Sequence, residues 1–295
     1  MCDDHSDAEN TAFLARQALD RRRFNLMSAG VAAATVLPGC AAAADKNAVA
    51  MAIAERKVAV KTVDGTLDGL FVHPAKGRHP AVILWPDVAG LREAYFNLAR
   101  KLAQAGYAVL AANQYYRSAP APIFNAFSEW RTPEGQAKLE PMRAPLIPAA
   151  VGRDAAAIVG WLDAQKEVDT ARGIGANGYC MTGSYTVRAA AAVPGRVKAA
   201  ASFHGGGLAD ATPDSPHLLI AMTQAAFVFA IAQNDDARDP AAKDVLRKTC
   251  AEAGRPATVE VFPAQHGWCT PDSPVYDPAQ QARAWDMMLA MFAKL

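Results

Sequence analysis

Apolar and polar residues alternate through Lys57–Thr62 and again through Leu67–His73, on either side of Asp64-Gly65. A period of two places one strand face against a core and leaves the other to water, and Asp-Gly is a hairpin signal. These segments therefore predict an antiparallel pair. The pattern then changes. Pro80–Trp85 and Tyr107–Ala112 are unbroken apolar runs, as expected of strands buried on both faces. Gly173–Tyr179, Val197–Phe203, Ala226–Ala232 and Thr258–Phe262 are further strand-like runs. Arg92–Ala105, stopped by Gly106, reads as an amphipathic helix, and helices are also expected over Ala149–Leu162, 240–253 and Pro278–Lys294. Strand and helix alternate, which implies crossover connections and an α/β fold: a mainly parallel sheet with helices on both faces. One domain over 50–295 accounts for the pattern.

Two stretches interrupt it. Residues 115–146 hold Tyr115, Tyr116, Arg117, several prolines, Phe124, Phe127, Trp130 and Met142 without a clear period. A long irregular insertion in a compact domain reads as a lid or one wall of a site. The other stretch is 1–45. Arg21-Arg22-Arg23-Phe24 leads into the apolar run Leu26–Pro38, and Ala41–Ala44 follows. A basic stretch, a short apolar segment and small residues form the layout of an export signal, here resembling the twin-arginine type. The apolar run falls short of the roughly 20 residues of a spanning helix. Residues 1–45 are accordingly expected to be signal and disordered N-terminus, outside the fold. Leu37-Pro38-Gly39-Cys40 resembles a lipoprotein cleavage box, which would leave a lipid anchor on Cys40, while Ala42-Ala43-Ala44 offers an ordinary Ala-x-Ala site. The expected location is periplasmic, either free or membrane-anchored.

Charge narrows the partners. Thirty Lys and Arg balance 29 Asp and Glu, so no basic surplus exists to neutralise a nucleic-acid backbone. A small molecule is the expected partner, and the chain is expected to be a monomer. Of the five cysteines, Cys2 and Cys40 precede the domain, and Cys180, Cys250 and Cys269 lie in it. Three is an odd number, so a disulfide framework is not expected and at least one thiol should be free. No spacing suggests a metal site, since His266 with Cys269 lacks further ligands.

The chemistry points to Cys180. Ile174–Gly183 reads Ile-Gly-Ala-Asn-Gly-Tyr-Cys-Met-Thr-Gly, placing a cysteine between a strand and a small-residue helix with glycines on either side. This is the nucleophile-elbow arrangement with cysteine in place of serine. So sharp a turn excludes bulky neighbours and lifts the side chain above the sheet edge. The following helix aims its N-terminus at the sulfur, favouring the thiolate, and the Met181 N–H can donate to an oxyanion. Downstream, Phe227–Asp236 reads as a strand delivering a carboxylate, and Val259–Trp268 as a strand running into a His266-Gly267 loop. The order nucleophile, acid, base suits a hydrolase of this class. Asp235 and Asp236 both compete for the acid; strand alternation sends them to opposite faces, and strand length favours Asp235. Phe203-His204-Gly205-Gly206-Gly207 follows the expected nucleophile, so it reads as a rim loop with His204 lining the site.

Gly178-Tyr179-Cys180-Met181 with Gly183, Asn234-Asp235, and Ala264–Cys269 together resemble the dienelactone hydrolase (carboxymethylenebutenolidase) family of the α/β-hydrolase superfamily. Pro80–Trp85, Asp87 and Gly90-Leu91-Arg92 resemble that family's first parallel strand and the loop after it. The resemblance implies a Cys180–His266–Asp235 triad attacking a lactone or ester through a thioester, with no cofactor. It assigns the Val88 and Met181 N–H groups to the oxyanion hole, and it sets Asp87 where a glutamate commonly holds the resting thiol. Thr182 departs from the usual glycine. The family's lactones carry carboxylates, which makes Arg117, Arg131 and Arg143 substrate-binding candidates beside Tyr116. The alternative is a non-catalytic exported ligand-binding protein on the same fold.

Overall fold

The structure, a computed structural model, describes residues 4–27 and 51–295. Eight strands form one sheet: β1 (Ile53–Thr62), β2 (Gly65–Pro74), β3 (Ala81–Trp85), β4 (Ala108–Ala112), β5 (Ile174–Tyr179), β6 (Val197–Phe203), β7 (Ala226–Ala232) and β8 (Ala257–Phe262). Their spatial order is β1-β2-β4-β3-β5-β6-β7-β8. The β1–β2 hairpin turns at Asp64-Gly65 and joins β4 antiparallel, and every later pairing is parallel. The expected α/β class is the observed one.

Helices cover both faces, and the strands show why. In β3, Ala81, Ile83 and Trp85 point into one apolar cluster, while Val82 and Leu84 point into the other. The first cluster is closed by α5 (Pro148–Asp163), α6 (Gly183–Ala192) and α8 (Ala242–Glu252), and the second by α2 (Glu93–Gln104) and α9 (Pro278–Phe292). Helix ends follow local chemistry. Asp277 accepts from the N–H groups of Ala279 and Gln280 at 3.0 Å, and Pro278 opens α9. Burying one large apolar side chain contributes roughly 1.5–3 kcal/mol, whereas an exposed ion pair contributes about 0–1 kcal/mol. The two clusters therefore dominate the stability of the sheet.

Both irregular stretches contain helix. Within 115–146 lie α3 (Phe127–Trp130) and α4 (Pro133–Arg143). Thr132 caps α4 by accepting from the Gly135 N–H at 3.0 Å, and the prolines at 133 and 141 blur the period that would have shown it. At the other end, Asp4–Met27 forms α1, and Ser6 and Asn10 are buried. The expectation that all of 1–45 stands outside the fold is corrected for this helix. Its polar side chains meet polar loops of the domain, a contact that hydrophobic periodicity cannot reveal. Cys2, most of the apolar run and both cleavage sites fall outside the described residues. No helix among the described residues is long and apolar enough to cross a membrane.

Candidate active site

The parallel strands β3, β5, β6, β7 and β8 end on one rim, because parallel neighbours in register must all point the same way. Loops or helices leaving that rim carry Asp87 and Val88, Cys180, His204, Asp235 and His266.

Cys180 sits on the strained turn expected of an elbow. Its φ is 56°, uncommon for a residue with a side chain. A Cβ on Gly178 would collide with the Thr182 carbonyl, and one on Gly183 with Ser202 and Gly205. Glycine is required at both positions. Thr182, the departure from the family pattern, has a defined part here. Its Oγ1 accepts from the Tyr179 N–H at 3.0 Å and lies 2.9 Å from the Trp85 carbonyl as donor, pinning the elbow to β3. Cys180 is buried with Val88, Tyr115, Phe124, Trp130 and Leu139, and Met181 packs against the same cluster. The 115–146 stretch thus supplies an apolar wall over the elbow. Tyr115 also donates to the Val88 carbonyl at 2.9 Å, fixing the loop after β3. Burial pushes the Tyr115 phenol above its ordinary range, so it remains a donor.

His266 Nδ1 lies 2.7 Å from Asp235 Oδ2, with the imidazole almost wholly buried. A carboxylate oxygen accepts, so Nδ1 carries the hydrogen and Nε2 is the ring nitrogen that bears the lone pair. β7 stops at Ala232, and Asp235 stands on a short helix, α7 (Gln233–Arg238). That corrects the basis on which the two aspartates were separated. About 100° of helical rotation per residue parts them, not strand alternation. Asp236 turns instead to Lys243 Nζ, 2.6 Å away. Asn234, quoted in the sequence motif without a role, accepts from the His266 N–H at 2.8 Å and so joins the acid-bearing and base-bearing segments.

His204 follows β6 with φ 40°. Tyr179 pairs with Phe203, so the residues that follow, Cys180 and His204, leave neighbouring strand ends together. The His204 ring centroid lies 4.9 Å from that of His266 and 5.2 Å from that of Trp268. Both its ring nitrogens are buried without a hydrogen-bond partner among the described residues. Burial first, and then the neighbouring His266, push its pKa well below the ordinary imidazole value. It is a neutral rim residue packed on the candidate base.

Several expected site residues are engaged elsewhere. Asp87 accepts from Arg92 Nη1 at 2.8 Å, from Arg92 Nη2 at 3.0 Å and from the Ala89 N–H at 2.9 Å. Its two oxygens face this fork rather than serving a thiol. Arg92 also grips Asp272 with two bonds of 2.7 and 2.8 Å, and Asp272 accepts from the Phe127 N–H of α3. Burial raises the Asp272 carboxyl and the Arg92 bonds more than offset it, so its pKa is lowered. The clamp ties lid, elbow-facing loop and 267–277 loop together, and sequence carried no signal for Asp272. Tyr116 and Arg117 are likewise committed beneath the hairpin. Arg117 binds Asp154 at 2.7 and 2.8 Å and also Asp64, and the Tyr116 hydroxyl meets Thr62 and Asp154 at 2.8 Å each. Two carboxylates therefore already engage the Arg117 guanidinium. Arg143 remains exposed at the end of α4, beside Tyr115.

Free thiols are present in the domain as expected, but Cys180 is not one of them. Cys180 is disulfide-bonded, whereas Cys250 and Cys269 are buried free thiols. Cys269 faces the α2 and α9 side of the sheet, among Phe262, Trp268 and Trp285, so it is not the partner of Cys180.

A sequence description of the Dienelactone hydrolase family matches residues 67–295. Among curated proteins, a "Putative carboxymethylenebutenolidase" of Methylorubrum extorquens is 25% identical over 281 residues, covering 93% of each chain. The fold resembles a solved "Putative Dienelactone Hydrolase" from Klebsiella pneumoniae, with a TM-score of 0.71 and 22% identity, over 83% of this chain and 100% of that one. It also resembles a dienelactone hydrolase-like promiscuous phosphotriesterase from metagenomic libraries, with a TM-score of 0.66 and 25% identity, over 83% and 99%.

Proposed function

This chain belongs to the dienelactone hydrolase family and is a carboxylic-ester or lactone hydrolase, and on that premise we propose that Cys180, once reduced, is its nucleophile, with His266 as base and Asp235 as orienting carboxylate. The observation that carries the reading is the buried 2.7 Å His266–Asp235 pair on the rim from which the Cys180 elbow rises. His266 Nε2 takes the thiol proton, and the sulfur attacks the carbonyl carbon. Charge developing on the carbonyl oxygen is met by the Val88 and Met181 N–H groups. Collapse breaks the ester C–O bond, and His266 returns its proton to the departing alkoxide. In a lactone that alkoxide stays tethered to the acyl group. Water, deprotonated by His266, then cleaves the thioester and restores the thiol.

The apolar wall of Tyr115, Phe124 and Trp130 suits a small substrate with an unsaturated or hydrophobic body. Among the lid-region arginines, Arg143 is better placed than Arg117 to favour an anionic one. The export reading stands with this proposal: a twin-arginine-type leader delivering the enzyme to the periplasm, either free or anchored through Cys40. The test is hydrolysis of a chromogenic ester and a lactone by protein treated with dithiothreitol. Turnover with an initial burst of alcohol, lost in Cys180→Ala, is the expected result. Full activity in Cys180→Ala would remove the cysteine mechanism.

A further inference from the structure

The loop after β3 carries the Val88 N–H, and the bonds around it show what holds that group in place. A trans peptide is planar, so its C=O and N–H point in opposite directions. The Val88 N–H shares a peptide unit with the Asp87 carbonyl, and whatever fixes that carbonyl also aims the N–H. Two donors fix it. The Gly90 N–H reaches the Asp87 carbonyl oxygen at 3.0 Å across the turn, and Gln114 Nε2 reaches it at 2.7 Å from just beyond β4. The Ala89 N–H is taken by Asp87 Oδ1 at 2.9 Å. Val88, by contrast, is fully buried, and its N–H makes no hydrogen bond among the described residues.

Gln114 is itself buried, and its amide faces two carbonyls, that of Asp87 at 2.7 Å and that of Pro86 at 3.4 Å. Carbonyl oxygens only accept, so the NH2 side faces them and Oε1 points away. Oε1 is buried with no partner among the described residues, and a stranded acceptor costs stability. Methionine or leucine would fill similar space without that cost, and would bring no donor. What glutamine adds at 114 is the bond to the Asp87 carbonyl. Its neighbours hold it there. Asn113 Nδ2 donates to Asp68 Oδ1 at 2.8 Å and to the Ala119 carbonyl at 2.9 Å, and Asn113 Oδ1 accepts from the Tyr115 N–H at 2.9 Å. Tyr115 in turn grips the next carbonyl of the loop, that of Val88, at 2.9 Å. Of these two side chains, only Gln114 holds the peptide that carries the Val88 N–H.

We propose that Gln114 is the positioning residue of the oxyanion hole, holding the Asp87–Val88 peptide so that the Val88 N–H is aimed and strengthened as a donor. This rests on the reading of Cys180 as nucleophile with Val88 as one oxyanion donor, and adds to it the group that sets that donor. The bond acts in two ways. It resists rotation of the peptide, which would turn the N–H away from the developing charge. It also draws electron density toward the carbonyl oxygen, which polarises the N–H of the same unit. Gln114 lies on the side of the peptide opposite its N–H, so it acts through Val88 and not on substrate.

The test compares two reactions of Cys180 in the full chain, reduced with dithiothreitol and then freed of it, as wild type and as Gln114→Met. Acylation by p-nitrophenyl acetate passes through an oxyanion. Alkylation by iodoacetamide displaces iodide at a saturated carbon and forms none. Alkylation of Cys180, read by peptide mass spectrometry, is expected to stay within about twofold of wild type, because it needs only an accessible thiolate. Acylation, read from the burst of p-nitrophenolate, should slow by about 10- to 100-fold, short of the roughly 10²–10³-fold that follows outright loss of an oxyanion donor. In the steady state kcat should fall with KM nearly unchanged, since the donor matters only as charge develops. Gln114→Leu should repeat the pattern. Undiminished acylation in both variants overturns the proposal. Equal slowing of acylation and alkylation overturns it too, because general loosening of the elbow slows both. Wild-type hydrolysis that survives in Cys180→Ala would remove the proposed function and this role with it, and that comparison identifies the outcome before any Gln114 variant is read.

Discussion

His266 is gripped at both ends of its residue: its ring by Asp235 at 2.7 Å, and its backbone N–H by the Asn234 side chain at 2.8 Å. Two consecutive residues of α7 thus set both the tautomer and the position of the candidate base. Removing the carboxylate should leave the imidazole in place while changing which nitrogen carries the hydrogen. Asp235→Asn is therefore expected to lower kcat by about 10³–10⁴-fold. Asp236→Asn loses only the Lys243 pair, at about 0–1 kcal/mol, and should keep near-normal kcat. Steady-state kinetics on a chromogenic ester, after reduction, separates the two; equal losses would reassign the acid.

Thr182→Val keeps the shape of the elbow and removes the hydroxyl that bonds Tyr179 and Trp85. It leaves a buried N–H and a buried carbonyl without that partner, a cost of about 1–3 kcal/mol. Urea unfolding should show that loss. Because the elbow aims Cys180, kcat should fall as well.

Arg92→Met leaves Asp87 as a buried, uncompensated carboxylate and frees Asp272 from the lid clamp. Breaking such a pair from one side costs about 3–5 kcal/mol, which thermal unfolding would register. A pH dependence accompanies it. The Asp272 pKa is lower folded than unfolded, so its contribution is present above about pH 4 and lost as pH falls through the lower folded value. In Arg92→Met that part of the acid sensitivity should shrink.

His204 works in the opposite sense. Its folded pKa lies well below the ordinary imidazole value, so below about pH 6.5 the unfolded chain binds a proton that the folded protein refuses. The wild type should lose stability as pH falls through that value, by up to about 1.4 kcal/mol per pH unit from this residue. His204→Phe should flatten the slope between pH 7 and 5, as read from urea midpoints. An unchanged slope would mean that His204 is protonated in the folded protein.

The order of elements, the hairpin at Asp64-Gly65 and the mainly parallel sheet were legible in the sequence because each rests on local periodicity. Val197–Phe203 and Ala226–Ala232 were placed to the residue, since continuous burial on both faces leaves a continuous apolar run. The Cys180 elbow was legible for a similar reason: sterics demand glycine at 178 and 183 whatever else surrounds the turn. Chain order then placed Asp235 and His266 just beyond the ends of β7 and β8, although α7 was hidden by its short length and its five polar residues among six.

What sequence could not convey is where charged side chains go once the chain closes. Arg117 and Arg92 are the same residue type in similar loop contexts, yet one is bound beneath a hairpin by Asp64 and Asp154 and the other joins Asp87 to Asp272, 180 residues away. Asn10 reaches His266 across 256 residues through a single hydrogen bond. Local periodicity and backbone sterics, which act between near neighbours, determined from sequence alone the sheet, its rim and the candidate cysteine. Long-range pairing of polar groups, which leaves no period in the chain, was decided by the tertiary structure: which aspartate meets His266, which arginines are occupied, and that Asn10 and Glu9 of α1 bond the His266 and Asn234 segments.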